Sequence, residues 1–202
     1  QSETLPKPST VVKQVPVLQQ PQPIAEFRPS IAATPYKHFT ERKGIIMELE
    51  QICQGAKAAS RTLATLGTNE KNQALIAVAD ALIAASADII AANEKDLENG
   101  RNNHMPEGLL DRLMLNEARI AQIAEGLQQV AALDDPIGEV LSMKKRPNGL
   151  MIGKKRVPLG VVGMIYEARP NVTVDAFGLC FKTGNAVILK GGSDAIYSNI
   201  AI

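Results

Sequence analysis

From Met47 onward the apolar positions fall at alternating steps of three and four. Leu49, Ile52, Ala56, Ala59, Leu63 and Leu66 line up as one stripe, which predicts an amphipathic helix ended by Gly67. Cys53 lies beside that stripe, where a free thiol packs as a small hydrophobe. Thr68 is placed to cap a second helix, with Glu70 in its first turn near the positive end of the dipole. There Leu75, Val78, Leu82 and Ile89 form an inner stripe flanked by Ile76, Ile83 and Ile90, which predicts burial from two sides. Residues 93–106 are polar and end in a turn, and residues 107–115 read as a short helix. Asn116 then caps a helix with Ile120, Ile123, Leu127 and Val130 inward, closed by Asp134, Asp135, Pro136 and Gly138.

At Glu139 the period changes from the helical one to two. Residues 140–146 and 150–157 flank Pro147-Asn148-Gly149, and Asn-Gly between alternating segments predicts a hairpin. Its arms carry Lys144-Lys145-Arg146 and Lys154-Lys155-Arg156, which suit either an anion-facing ribbon or a solvated edge protected by lysine. Residues 161–166 are apolar apart from Gly163, as expected of a strand covered on both faces. Pro170 and Asn171 open a helix with Ala176, Phe177, Cys180 and Phe181 on its apolar side. Thr183-Gly184-Asn185 closes it, and residues 186–189 form a second buried strand. Strand, helix and strand make one βαβ unit with a right-handed crossover.

Composition narrows the classes of function. A net charge of +1 and 3% aromatic residues argue against nucleic acid as a partner. No apolar run approaches the ~18 residues of a membrane span, and no basic segment followed by an apolar one marks a signal peptide. Cys53 and Cys180 are far apart and lack metal-ligand spacing, which points to a reducing, cytoplasmic compartment. His38 and His104 are the only histidines and neither is spaced for zinc, so no metal is expected.

The N-terminal stretch is of another kind. Pro6, Pro8, Pro16, Pro21, Pro23, Pro29 and Pro35 punctuate it without an apolar period, which predicts a disordered or extended tail over residues 1–46. The chain begins with Gln1, and its first methionine is Met47. Lys43-Gly44 implies a purine-rich AAR-GGN run just upstream, like a bacterial ribosome-binding site, so Met47 is the expected native start.

Ligands of parallel sheets bind beyond the carboxyl ends of the strands, and two loops qualify: residues 167–171 and 190–194. The first holds Tyr166-Glu167-Ala168-Arg169-Pro170-Asn171 where an ordinary dinucleotide fold would hold G-x-G-x-x-G. The second places Lys190 at a strand end, followed by Gly191 and Gly192, which permit close approach, and by Ser193 or Asp194 as a cap. An acidic residue there reads a ribose diol, whereas a cation accommodates a 2′-phosphate, so Lys190 points to NADP(H).

The runs VPLGVVGMIYEARPNVT and FKTGNAVILKGGS, with MELEQICQGAKAASRTLATL, ANEKDLENGR and LLDRL before them, closely resemble the gamma-glutamyl phosphate reductase (glutamate-5-semialdehyde dehydrogenase) family of the aldehyde dehydrogenase superfamily. The resemblance runs from Met47 to Ile202. It implies NADPH-dependent reduction of L-glutamate 5-phosphate to L-glutamate 5-semialdehyde, with phosphate released, in proline biosynthesis. A cysteine would attack the acyl phosphate, a thioester would form, and hydride would follow. By resemblance Lys190, Gly191, Gly192 and Ser193 meet the adenosine ribose or its phosphate, and Ile165, Tyr166 and Glu167 run beside the nicotinamide half. Asn171 is a candidate oxyanion donor, with helix capping as its alternative, and an alignment on Pro170 would put Ala168 there instead. Arg169 is a candidate contact for the anionic substrate, with a surface ion pair as its alternative. The family's nucleophile lies downstream of KTGNAVILKGG, and Cys180, inside the crossover helix, reads as a core residue. No catalytic cysteine is therefore assigned among the 202 residues, and the chain alone is expected to be inactive.

The expected architecture is α/β and aldehyde-dehydrogenase-like. It comprises a tail (1–46), a helical layer (47–138), a hairpin arm (139–157) and the truncated start of a parallel-sheet, NADP(H)-binding βαβ domain (158–202). Its partners are a small acyl phosphate and, when full length, further copies of itself, with neither nucleic acid nor membrane. The alternatives are another reductase of the superfamily, or a non-catalytic nucleotide-binding or interaction module.

Overall fold

A computed structural model describes the backbone of residues 42–202, Ala168 excepted, and the side chains from Leu49 onward. The expected tail, up to residue 41, lies outside the described residues. Five helices come first: α1 (Arg42–Leu63), α2 (Thr68–Ala84), α3 (Ser86–Asn102), α4 (Glu107–Leu113) and α5 (Glu117–Ala132). The hairpin strands β1 (Val140–Lys145) and β2 (Met151–Lys155) follow. Then come β3 (Val161–Ile165), α6 (Pro170–Lys182), β4 (Ala186–Lys190), a 3-10 turn (Ser193–Ala195) and α7 (Ile196–Ala201).

The α2 start corrects the sequence reading. Gly67 holds the N-cap and has no side chain to cap with, so Glu70 reaches back and its carboxylate accepts the Gly67 N–H at 2.7 Å. Thr68 sits one residue inside and donates to Asp135 instead, at 2.9 Å. The bend between α2 and α3, 67° at Ala85, turns Leu75, Ala79, Leu82 and Ile89 into one core. Among the described residues no single helix is long and apolar enough to cross a membrane.

α3 runs through most of the polar stretch read as leading into a turn, with two of its polar residues, Asn93 and Asp96, inside and satisfied and the rest facing out. Asn93 Nδ2 donates to the Leu113 carbonyl at 2.8 Å and to Ser198 Oγ at 2.9 Å, while its Oδ1 accepts from Leu115 N at 2.7 Å. The Asp96 carboxylate accepts from the N–H groups of Tyr197 and Ser198, at 3.1 and 2.7 Å, and from Ser198 Oγ at 2.6 Å. One helix thus fastens both the α4–α5 loop and the start of α7. α5 begins as expected, with Asn116 Oδ1 accepting from Arg119 N at 2.8 Å. Its Ile120, Ala124, Leu127 and Ala131 join the core, and α6 lies so close that a Cβ on Gly178 would stand 2.6 Å from Leu127.

Two lysines are also buried in this body. Lys71 pairs with Asp135, and Lys182 Nζ donates to Asn72 Oδ1 at 2.6 Å and to the Ala131 carbonyl at 2.8 Å. Burial pulls the Lys182 amine below its ordinary pKa, partly offset by the charges of Asp135 and Asp134.

Three apolar expectations fail at the surface. Ile76 and Ile83 are exposed, so α2 is covered from one side only; Leu49 and Ile52 are also exposed, and Cys53 with them. β3 alternates, with Val161, Gly163 and Ile165 exposed, because it pairs with β4 alone and α1 and α6 lean mainly on β4. The hairpin forms with the predicted turn, Gly149 at φ +85 and Arg146 N donating to Leu150 O at 2.8 Å. Its strands are exposed almost throughout, apolar Leu141, Met151 and Ile152 included.

The parallel register of β3 and β4 has a local cause. After α6, Asn185 N donates to Cys180 O at 2.8 Å and Gly184 N to Phe181 O at 2.9 Å, with Gly184 at φ +70: a Schellman closure. The Asn185 side chain then accepts from Gly160 N at 2.9 Å, directly ahead of β3. This fixes Val161 opposite Ala186, and the ladder runs on to Ile165 opposite Lys190.

Candidate functional site

Because the strands are parallel and in register, they end side by side. Tyr166 N donates to the Lys190 carbonyl at 3.1 Å, extending the ladder by one bond, so the loops after β3 and β4 leave from adjacent points. Lys190 is exposed at the end of β4 and takes part in no ion pair among the described residues. Gly191 and Gly192 are half-buried, Gly192 precedes the 3-10 turn, and Ser193 opens that turn exposed, with no side-chain capping bond. Ile165 is 81% exposed. Glu167 is exposed, and its carbonyl accepts from Arg169 N at 2.8 Å, which turns the chain sharply into α6.

Ala168 lies outside the described residues. Arg169 occupies the N-cap of α6, exposed, and its side chain neither caps the helix nor forms an ion pair among the described residues. Pro170 holds the first helical position, where its missing N–H costs nothing. Asn171, one residue further, does not cap the helix; its Nδ2 donates to Asp175 Oδ2 at 3.3 Å, along the helix and not toward the β4 loop.

The two sulfurs are poorly suited to nucleophilic work. Burial pushes the Cys180 thiol up, and it lies within α6 as expected. Cys53 lines a shallow cavity with Lys57, Ser60, Leu159, Gly160, Val161 and Ile188. That cavity reaches the amino end of β3, whereas the Lys190 loop leaves the carboxyl end of β4, roughly 13 Å away along five-residue strands.

Two residues beside the Lys190 loop, Thr173 and Asn199, gave no sequence signal, unlike Tyr166, which they meet. Tyr166 is half-buried, and its hydroxyl meets Thr173 Oγ1 at 2.6 Å; Thr173 in turn donates to Asn199 Oδ1 at 2.9 Å. Polar residues on the first turns of helices look solvent-facing by pattern, and only the fold brings Thr173 of α6 and Asn199 of α7 to Tyr166.

No family model matches the chain. It is 65% identical over 154 residues to the gamma-glutamyl phosphate reductase of Lachnospira eligens, a match that covers 76% of this chain and 37% of that protein. With the enzyme of the same name from Moorella thermoacetica it shares 58% over 158 residues, covering 78% and 38%. Among solved structures, the gamma-glutamyl phosphate reductase of Thermotoga maritima superposes with a TM-score of 0.74 at 42% identity, over 76% of this chain and 37% of the other. The reductase of Saccharomyces cerevisiae gives 0.70 at 32%, over 75% and 40%. The chain thus spans less than half the length of these relatives. Over the stretch it shares with them, the chain is similar to the gamma-glutamyl phosphate reductases both in sequence and in fold.

Proposed function

We propose that this chain supplies the coenzyme side of an NADPH-dependent reduction of L-glutamate 5-phosphate to L-glutamate 5-semialdehyde, with release of phosphate, in proline biosynthesis in the cytoplasm. The observation that carries it is the exposed, unpaired Lys190 at the carboxyl end of β4, beside the Gly191-Gly192 turn and the first residues after β3. A cation in no ion pair among the described residues suits a 2′-phosphate, and the side of the turn away from Asn199 and Tyr166 is where backbone can approach a ribose. NADPH bound there supplies hydride.

The residues of this chain bind and orient. Lys190, Gly191, Gly192 and Ser193 hold the adenosine end, and Ile165, Tyr166 and Glu167 flank the nicotinamide end. Arg169 is free to meet the anionic acyl phosphate. Asn171 serves as oxyanion donor once its amide leaves Asp175, a swap of one hydrogen bond for a stronger one to a developing charge. The resemblance assigns the nucleophile to a cysteine outside these 202 residues, and Cys180, buried within α6, and Cys53, at the other end of the strands, do not take its place. The free edge of β3, which pairs only with β4 among the described residues, suits further strands of a parallel nucleotide-binding sheet, and the exposed apolar hairpin suits an assembly arm between copies.

Fluorescence titration with NADPH and NADH tests the reading. Lys190→Ala is expected to weaken NADPH by about tenfold or more, the loss of one charge-assisted bond, and to leave NADH unchanged. Equal loss for both coenzymes, or none for either, would sink it.

A further inference from the structure

Beside the glycine turn next to Lys190, side chains from the end of β3, from α6 and from α7 meet, and of these three, Tyr166, Thr173 and Asn199, the coenzyme reading uses only Tyr166. Thr173 Oγ1 has one proton and gives it to Asn199 Oδ1, at 2.9 Å, so at the 2.6 Å contact Tyr166 Oη donates to Thr173. Polarity therefore runs one way, from the end of β3 through α6 to α7. At the far end, Asn199 Nδ2 is buried and has no acceptor among the described residues. That amide faces Gly191: a Cβ there would stand 2.2 Å from Asn199 Nδ2, 3.2 Å from Asn199 Cγ and 3.2 Å from Tyr166 Cζ. Both ends of the relay close on one residue.

Gly191 is not among the residues with left-handed backbone, so its dihedral angles do not demand glycine. The close approach of Asn199 and Tyr166 does. A buried amide without a partner is rare enough in folded proteins to need a cause, and here it lies under the loop assigned to the ligand.

We propose that Tyr166, Thr173 and Asn199 are positioning residues that hold the Gly191-Gly192 turn beside Lys190, and that Gly191 must be glycine because of Asn199 and not because of the ligand. The purpose assigned to the turn rests on the NADP(H) reading above; the relay itself does not.

The test uses variants of the whole 202-residue chain and two readouts: amide hydrogen exchange across residues 190–195, and calorimetric titration with NADP+. Thr173→Val keeps the shape and removes the hydroxyl. It is expected to speed exchange in that stretch by about tenfold or more while the α2–α5 core keeps its protection, and Thr173→Ser is expected to restore it. Unchanged exchange in Thr173→Val overturns the relay. Gly191→Ala is expected to weaken NADP+ by about tenfold in the parent chain but by less than about threefold once Asn199→Ala has cleared the space. Equal losses in the two backgrounds overturn the steric role of Asn199 and leave the coenzyme site standing. If the parent chain takes up no NADP+, the coenzyme reading fails, and the same pair of backgrounds, read by exchange, decides the role of Asn199.

Discussion

The helical body and the strand region treat their side chains in opposite ways. In the body, charges are inside: Lys71 and Lys182 are 1% and 3% exposed, and Asp96 is 1%. Around the strands, apolar groups are outside: Leu159 is 86% exposed, Ile165 81% and Met151 55%. Each buried charge in the body has partners on neighbouring elements, so its polar interior is satisfied from within. The strands carry apolar side chains that nothing among the described residues covers, and exposed apolar groups gathered on short elements in this way suit contact with another surface. The polar interior therefore belongs to the part that stabilises the chain, and the apolar exterior to the part that meets something else.

The largest expected effect breaks the first half of that contrast. Lys71→Met leaves Asp135 nearly buried and without its cation, and should cost about 3–5 kcal/mol in a urea titration. A loss under about 1 kcal/mol would mean that the interior charges are incidental. The pair also sets an acid limit. Burial alone would raise the Asp135 carboxyl, but hydrogen bonds from Lys71, the Ile137 N–H and Thr68, with the charge of Lys71, hold it below its usual value. A carboxyl whose pKa is lower in the folded state contributes stability present above the unfolded value and lost as pH falls through the folded one. The parent's thermal midpoint should therefore drop below about pH 4, and in Asp135→Asn that part of the drop should vanish.

A smaller effect probes how tightly the body is closed. Gly178 faces Leu127 across the α5–α6 contact, and Gly178→Ala should cost about 1–3 kcal/mol because α6 must back away. Gly126, on α5, has nothing within 4 Å of a built Cβ, so Gly126→Ala should stabilise by about 0.5–1 kcal/mol through helix propensity. The pair separates packing from propensity on adjoining helices. Opposite signs are required; two losses of similar size would mean that glycine is needed for a reason other than the α5–α6 approach.

Legibility in the sequence followed the same division. Where apolar residues face the core, as Leu75, Leu82, Ile120 and Leu127 do, periodicity found the helix and its inner face. Where the inner face is polar it is silent: residues 93–106 read only as a polar stretch ending in a turn, and Asn93 and Asp96 show as inner-face residues only once Leu113, Leu115, Tyr197 and Ser198 supply their partners. It also over-buried α1 and β3, since a hydrophobic pattern records what a residue avoids, not whether this stretch of chain supplies the cover. At the site, Lys190 and the glycines were legible because a strand end and a turn have local signatures. Thr173 and Asn199 were not, because a relay across 26 residues leaves no period.

The smallest effect on stability tests the second half of the contrast. Leu141 and Met151 lie on different strands of the hairpin, 52% and 55% exposed. Replacing both with serine removes apolar surface already in water, so the urea midpoint should shift by no more than about 0.5 kcal/mol. The same change should lower self-association in sedimentation velocity, because the surface lost is the one assigned to contacts between copies. A loss of several kcal/mol with unchanged association would show the hairpin to be a buttress of its own body. An unchanged profile on both counts would leave the lysines, which line the same arms at residues 144, 145, 154 and 155, as the feature that faces a partner.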